Sequence, residues 1–252
     1  MNHTSLVRLE SHEDGIAEII IDRPERHNAM TLDMYRMMLD CIDTCRRDGA
    51  VRTILFKGTG GKSFISGTDI SYFENFREGR EGIAYEEFVE QVIDAVERIS
   101  VPTIAVIDGW AVGGGLALAT ACDFRVCSNN SNFGAPIAKT LSNTLSSKNI
   151  ARLIAAFGVP RVKRMLLLAE YLSAREALEC GFVHQSCSSD DLHTVASDMA
   201  GKLIKLSAVT QKAVKESIRR LVVDQSTEDS DLITEVYGSQ AFRDGVARFL
   251  KK

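Results

Sequence analysis

The feature that most constrains the fold is an almost entirely apolar segment that leads toward three consecutive glycines. Residues 102–109 read PTIAVIDG, and residues 109–124 continue as GWAVGGGLALATACDF. A short strand that is apolar on both sides is typical of a parallel sheet buried between other layers. Glycines directly before an alanine- and leucine-rich run let the backbone turn sharply into a helix. The order strand, tight turn and helix therefore predicts an α/β fold.

The rest of the first half repeats this alternation. Three further strands are predicted at residues 15–22, 51–58 and 124–128, and two helices at about residues 31–45 and 85–99. Thr31 is a favourable N-cap for the first of these helices. The polar, glycine-containing segment ENFREGREG (74–82) predicts a mobile surface loop, with a substrate lid as the alternative.

The second half is predicted to be mostly helical from about Lys148. We therefore expect a strand–helix core over residues 1–190, which carries the functional site, and a helical region over residues 191–252.

Composition excludes several classes of protein. The 252 residues are 45% hydrophobic and 25% charged, which suits a globular chain with a real core. A net charge of −4 argues against nucleic acid as the main partner. The N-terminus MNHTSLVRLE lacks the pattern of a signal peptide, and no apolar run approaches the roughly 20 residues that span a bilayer. Six cysteines without a C-x-x-C pair predict buried thiols rather than a metal site. We expect a cytoplasmic protein without a membrane partner.

Two glycine-containing turns are candidates for a site that binds one oxygen atom. They are GGKSFISGTDI (60–70) and GWAVGGGLALA (109–119), and each follows a strand of the buried type. The first turn of a helix has N–H groups without partners and carries the positive end of the helix dipole. Two such turns side by side predict an oxyanion hole, which stabilises charge that develops on a carbonyl oxygen. For each turn alone, close packing or an ordinary turn is the competing interpretation. The triplet is not the G-x-G-x-x-G dinucleotide fingerprint.

Six stretches carry a family resemblance and together cover nearly the whole chain. They are IDRPERHNAM (21–30), GKSFISGTDI (61–70), IDGWAVGGGLALATACDFRV (107–126), FGAPI (133–137), SAREALECGFVHQ (173–185) and QAFRDGVARFLKK (240–252). In this order they resemble the crotonase superfamily, the enoyl-CoA hydratase/isomerase family. The resemblance implies a repeated ββα spiral core with a helical C-terminal region that builds a homotrimer, often a dimer of trimers. It implies an acyl-CoA thioester as ligand, with coenzyme A as part of the substrate and no prosthetic group or metal.

The resemblance also implies roles for individual residues. By motif position, the backbone N–H groups of Thr68 and Gly114 polarise the thioester carbonyl and stabilise an enolate. The other residues implied to bind the substrate are Arg26, His27, Ala29, Ser66, Asp69, Ile70, Gly113, Pro136 and Ile137. Lys251 and Lys252 are candidates to meet a CoA phosphate, and a solvated tail is the alternative.

The chain departs from the family pattern at the two positions that carry hydration chemistry. A hydratase of this family uses two glutamates around one water. The first stands three residues after the middle glycine, where this chain has Ala117, and the second follows the proline of F-G-x-P-E, where it has Ile137. No Asp or Glu occurs between Phe124 and Ala169. Ordinary two-glutamate hydration is therefore not expected, and double-bond isomerisation that uses the second carboxylate is in doubt too.

Other polar residues near the expected site have competing interpretations. In KTLSNTLSSKN (139–149), Asn143, Ser142 and Ser146 are candidates to orient a polar acyl group or a water, and Lys139 to pair with a carboxylate. Local hydrogen bonds to the loop backbone are the alternative for each.

Several titratable residues have a structural reading beside a chemical one. The His27 imidazole is a candidate acid or base near neutral pH, and a cofactor contact or a surface role is the alternative. Tyr72 and Glu74 follow the first glycine turn and are candidates to reach the acyl end of the ligand. An exposed helix face is the alternative for both. Asp69, Asp123, His184 and Cys187 are interpreted as structural.

Two functions follow from these observations. The first is an enzyme that stabilises an acyl-CoA enolate without the usual glutamates. Decarboxylation or cleavage of a C–C or thioester bond fits, because an enolate can then form without a protein base. The second is a catalytically silent acyl-CoA-binding trimer.

Overall fold

The computed structural model describes residues 5–251, and two sheets form its centre. The strands are β1 (Val7–Ser11), β2 (Ile16–Ile21), β3 (Thr53–Gly58), β4 (Ser63–Ile65), β5 (Thr103–Ile107), β6 (Trp110–Val112), β7 (Phe124–Ser128), β8 (Asn132–Gly134), β9 (Leu172–Ser173) and β10 (Gln185–Cys187). The helices are α1 (Leu32–Arg47), α2 (Gly79–Glu97), α3 (Gly114–Ala121), α4 (Ser147–Leu167), α5 (Ala174–Glu179), α6 (Leu192–Leu203), α7 (Ala208–Arg219), α8 (Ser230–Tyr237) and α9 (Gln240–Leu250).

The chain winds as a spiral of strand–strand–helix units. In three successive units the first strand joins a six-stranded sheet of order β1-β2-β3-β5-β7-β10, and the second joins a four-stranded sheet of order β4-β6-β8-β9. The units are β3-β4-α2, β5-β6-α3 and β7-β8-α4. The pairs β3–β5, β5–β7, β4–β6 and β6–β8 are all parallel. The expected α/β fold with a repeated ββα core and a helical C-terminal region is confirmed.

Helices bury both faces of the six-stranded sheet. All six residues of β2 are buried, and five of them are apolar, as expected for a strand without a solvent face. Its buried carboxylate, Glu18, pairs with Lys57. One face contributes to the main core with α1, α2, α3 and the smaller sheet. On the other face, α6 packs its buried apolar residues against β2, β3, β5 and β7. The start of the predicted helical region, residue 191, therefore lies just before a helix that closes the sheet.

The predicted elements agree closely with the structure except around residues 74–82. Thr31 caps α1 by accepting a hydrogen bond from the Met34 N–H at 3.2 Å. The loop predicted at 74–82 is wrong for its last four residues, because α2 already begins at Gly79. The carboxylate of Glu81 accepts the Glu78 N–H at 2.8 Å, which satisfies a free donor at the helix start.

The helix α4 has a break within it. Gly158 has φ 74° and ψ 154°, outside helical geometry, and Pro160 follows two residues later. Proline begins a helical segment well because its fixed φ suits the first turn. Within residues 5–251, no helix is both long and apolar enough to cross a membrane.

Candidate active site

Two glycine turns meet where β4 and β6 end. These strands pair in parallel, with Ile65 beside Ala111, so the turns that follow them leave the small sheet at the same edge. Gly67 has φ 110° and Gly113 has φ 55°, and residues with a Cβ rarely adopt such positive φ angles. A Cβ on Gly67 would lie 3.8 Å from the Gly114 nitrogen. The structure therefore brings together the two turns that the sequence paired.

Two backbone donors of these turns, one in each, have no intramolecular acceptor among the described residues. Met30 forms a parallel bridge with Thr68, in which the Met30 N–H donates to the Gly67 carbonyl and the Asp69 N–H to the Met30 carbonyl, both at 2.8 Å. This pattern skips the Thr68 N–H. In the described part of the chain, neither that N–H nor the Gly114 N–H at the start of α3 donates to a protein acceptor. Thr68 and Gly114 are both half-buried, so the two unpaired N–H groups can serve a ligand oxygen.

The last two glycines of the triplet leave room for different neighbours. A Cβ on Gly115 would overlap the carbonyl oxygen of Ile65, so this glycine lets α3 pack directly on β4. A Cβ on Gly114 would lie only 2.6 Å from the hydroxyl oxygen of Tyr35. Close packing on the backbone therefore requires glycine at position 115, whereas a Cβ at position 114 would crowd only the Tyr35 hydroxyl.

The segment before α1 lies against the first turn. The Arg23 guanidinium donates to the Asp69 carboxylate at 2.7 Å and to the Ala29 carbonyl at 2.9 Å. Buried Asn28 donates to the carbonyls of Thr59 and Ser63 and fixes the same segment from behind. Predicted site residue Ala29 therefore lies near the Thr68 turn.

The remaining predicted residues differ in exposure. Arg26 and His27 are exposed on the turn before α1, and Ile70 is 61% exposed. Ser66 is half-buried between β4 and Gly67. The Asp69 carboxylate accepts the Ser71 N–H at 3.1 Å and so organises its own turn, as the structural reading proposed.

The segment after β8 is apolar at its start and polar further on. Pro136 is buried, and Ile137 packs against the main core. Asn143 and Lys139 are exposed. Ser146 caps α4 by accepting the Asn149 N–H at 3.2 Å, which is the local role weighed for it above.

Ala117 and Ile137, where the sequence analysis expected no catalytic carboxylate, both lie at the main core. Ala117 is 9% exposed and belongs to the main core, against which Ile137 also packs. Neither side chain can hold a water or move a proton.

The sequence analysis missed two tyrosines beside the turn that contains Thr68. The Thr68 hydroxyl lies 3.0 Å from the Tyr35 hydroxyl and 2.6 Å from the Tyr85 hydroxyl. Burial raises the pKa of Tyr35 to about 12 and raises that of Tyr85 further. The available signal was Tyr35 itself, a phenol on the buried face of α1 among Met34, Met38 and Ile42.

A carboxylate from α2 reaches the loop that has none of its own. Glu86 accepts the Ser146 N–H at 2.7 Å, just before α4. Partial burial is the main cause that raises the pKa of Glu86 above its usual value, and the neighbouring Glu90 adds to it. No local sequence pattern indicates this contact, because 60 positions separate the two residues.

Asp123 and His184 have structural contacts. The Asp123 carboxylate accepts the N–H and hydroxyl of Thr103 and pairs with Lys215. The His184 ring packs on Phe124, and burial lowers its pKa. Lys251 is exposed at the end of α9, and Lys252 lies outside the described residues.

A cavity of about 580 Å³ lies elsewhere, between α7 and the core. Its walls include Ala121, Phe124, Val214 and Ile218, and none of the predicted site residues lines it. Among residues 5–251 there is no cluster of three or more His, Cys, Asp or Glu that could hold a metal ion.

The spiral of ββα units and the two free N–H groups at paired glycine turns define a class of protein. Comparison with known sequences identifies the family. The family model described as enoyl-CoA hydratase/isomerase matches residues 11–252, and the chain belongs to this family. The chain is 30% identical over 246 residues to the crotonyl-CoA hydratase of Syntrophomonas wolfei, across 95% of this chain and 93% of that protein. The short-chain-enoyl-CoA hydratase of Clostridium acetobutylicum matches with the same identity and coverage.

Solved structures agree with the sequence comparison. An enoyl-CoA hydratase/carnithine racemase from Magnetospirillum magneticum superposes with a TM-score of 0.88 at 26% identity, over 98% of this chain and 93% of that chain. An enoyl-CoA hydratase/isomerase family protein from Hyphomonas neptunium gives a TM-score of 0.88 at 29% identity, over 100% and 97%.

The Arg23–Asp69 pair generates a prediction about pH. The Arg23 hydrogen bond is the main cause that lowers the pKa of Asp69 to about 2. Because an unfolded aspartate titrates near ~3.9, this pair should stabilise the fold fully above about pH 4 and lose that contribution as the pH falls toward 2. In a carboxyl-carbon NMR titration, Arg23→Met should raise the Asp69 midpoint, although the N–H and hydroxyl of Ser71 still hold it below the unfolded value.

Asp231 provides the internal control for this titration. Its pKa is also lowered to about 2, but by Arg220. It should not change in the Arg23→Met variant. An Asp69 midpoint that stays near its original value after the substitution would show that Arg23 is not the cause.

Proposed function

We propose that this chain binds an acyl-CoA thioester and stabilises an enolate formed from it. The thioester oxygen would accept hydrogen bonds from the N–H groups of Thr68 and Gly114. The observation that carries the proposal is the contact of the two glycine turns, which leaves both of these donors free. The printed names of the relatives, a crotonyl-CoA hydratase and a short-chain-enoyl-CoA hydratase, support the substrate class.

The donors would act through preorganised electrostatics. When a thioester becomes an enolate, negative charge moves onto its oxygen, and donors that already point there stabilise the charged form more than the neutral one. Removing one such donor from an oxyanion hole typically costs about 10²- to 10³-fold in kcat. The position of Gly114 at the start of α3 adds the positive end of a short helix dipole.

The reaction would not be hydration by a pair of glutamates. Ala117 and Ile137 are both apolar and both contact the main core. Glu86 reaches the end of the loop after β8, where its carboxylate already accepts the Ser146 N–H. Breaking a C–C bond next to the thioester, as in loss of CO₂, leaves its electron pair as the enolate and needs no protein base. We therefore favour a reaction of this kind.

A catalytically silent acyl-CoA-binding protein is the second candidate. The apolar character of both Ala117 and Ile137 is the observation that favours it. The two free N–H groups suit binding in either case, so only turnover separates the candidates.

Purified protein with crotonyl-CoA should hydrate this conjugated thioester far more slowly than the ~10 per second that is the median for enzymes. The physical reason is the absence of a proton-transferring group at Ala117 and Ile137. Loss of the absorbance of the conjugated thioester measures the rate. Turnover near that median would contradict the assignment of these two positions. Mass spectrometry of a panel of carboxyl-bearing and simple acyl-CoAs then separates the enzyme from the silent protein.

The role of the Gly114 N–H can be tested with two matched double variants. In a Tyr35→Phe background the hydroxyl that would crowd a Cβ at position 114 is gone. Gly114→Ala then keeps the N–H, whereas Gly114→Pro removes it at the first helical position, where proline is tolerated. Affinity for acetoacetyl-CoA, which readily forms an enolate, should be roughly 10- to 100-fold weaker with proline, as expected for a lost hydrogen bond to a charged acceptor.

Circular dichroism should show that both double variants are folded. Equal affinity of the alanine and proline variants would remove Gly114 from the oxyanion hole.

We also propose that the helical region after residue 190 assembles the chain as a homotrimer or a dimer of trimers. Several large apolar side chains of this region face solvent in the single chain, among them Phe249 at 80% and Leu250 at 79% exposure. Exposed apolar groups in such numbers on neighbouring helices are typical of an interface.

Light scattering should give three or six times the 27.7 kDa of one chain. Phe249→Asp should shift the protein toward smaller species, because a charge would be buried in the contact. Ile83→Asp is the matched control, since Ile83 is 62% exposed on α2, outside the helical region. A monomer for the unaltered chain, or equal behaviour of the two variants, would contradict the proposed assembly surface.

A further inference from the structure

Three hydroxyl groups form a row of hydrogen bonds at the turn that contains Thr68. The Thr68 hydroxyl stands between the phenols of Tyr35 and Tyr85, at 3.0 Å and 2.6 Å. Within residues 5–251 these are the two hydrogen bonds that the three hydroxyls make. Each hydroxyl carries one proton and can accept two hydrogen bonds. Three protons are thus available for two contacts.

The position of the unused proton follows from burial. Tyr35 is 1% exposed, and a buried donor is normally paired, so its proton belongs to the contact with Thr68. The contact between Thr68 and Tyr85 uses one of their two protons. The other remains without a protein acceptor. When Tyr35 donates to Thr68 and Thr68 donates to Tyr85, each hydrogen bond polarises the next, and the free O–H is that of Tyr85.

The Tyr85 ring is held in place by its neighbours. It packs edge-on against Phe73 at 4.8 Å and lies 5.8 Å from the Tyr72 ring. The ring therefore offers its hydroxyl from a fixed position, as a preorganised donor requires. The residue to which that hydroxyl is bonded, Thr68, is the one whose backbone N–H is free.

We propose that the Tyr85 hydroxyl is a third hydrogen-bond donor to the thioester oxygen held by the N–H groups of Thr68 and Gly114. This inference rests on the proposed function. Tyr85 is then a catalytic residue, whereas Tyr35 and the Thr68 hydroxyl are positioning residues.

The ionisation state of Tyr85 suits this role. Desolvation raises its pKa above the usual value for tyrosine, and the charges of Tyr35 and Glu86 act in the same direction. The phenol therefore keeps its proton throughout the neutral pH range.

Binding of two CoA compounds tests the proposal. Acetoacetyl-CoA forms an enolate with a distinct near-ultraviolet band, so its binding reports stabilisation of a negatively charged oxygen. An S-alkyl-CoA thioether has the CoA portion but no carbonyl oxygen. Tyr85→Phe removes only the hydroxyl and keeps the ring. Tyr72→Phe is the matched control, because Tyr72 belongs to the same aromatic cluster and is 36% exposed.

Tyr85→Phe should weaken acetoacetyl-CoA binding by roughly 10- to 100-fold and reduce the enolate band of the complex. Thioether affinity should not change, and Tyr72→Phe should behave as the unaltered protein with both compounds. The affinity of Tyr35→Phe for acetoacetyl-CoA should lie between those of Tyr85→Phe and the unaltered protein, since this variant removes the donor to the Thr68 hydroxyl.

The possible failures are distinguishable. If Tyr85→Phe binds acetoacetyl-CoA with full affinity and an undiminished band, the third donor is wrong and the proposed function stands. If both compounds lose affinity equally, Tyr85 only shapes the pocket, and the proposal is again overturned. If the unaltered protein binds neither compound, the proposed function fails and the inference falls with it.

Discussion

The contact between the two glycine turns is the constraint on which the site depends. Gly115 lets α3 start directly against the carbonyl of Ile65 at the end of β4. Any side chain there would push the helix away from the strand and separate Gly114 from Thr68. The parallel pairing of β4 with β6 sets the level at which both turns occur. The same backbone pairing thus builds the small sheet and aligns the two free N–H groups.

Around this contact, apolar and polar groups come from different elements. Ala117 on α3 and Ile137 after β8 are apolar and contact the main core. The hydroxyls of Tyr35 and Tyr85 come from α1 and α2 instead.

Much of this arrangement could be predicted from sequence, because it depends on local patterns. Apolar runs located β2, β3, β5 and β7, and Thr31 marked the start of α1. Glycine spacing indicated both turns, since their geometry excludes most side chains. The short strands of the second sheet carry too few residues for a periodic signal, and β4 has only three. Contacts such as Glu86 with Ser146 lie beyond any local pattern, because only the packing of α2 against the loop creates them.

The error at residues 74–82 bears directly on the site. Polar, glycine-containing sequence resembles a loop, but the Glu81 carboxylate satisfies the free N–H groups of Arg77 and Glu78 and lets α2 begin at Gly79. A helix that began near Tyr85 would place this tyrosine in a fraying first turn. As built, Tyr85 lies more than one turn of about 3.6 residues inside the helix, where the backbone is held on both sides. The Glu81 carboxylate, which accepts hydrogen bonds at the start of α2, therefore helps to hold the Tyr85 hydroxyl against Thr68.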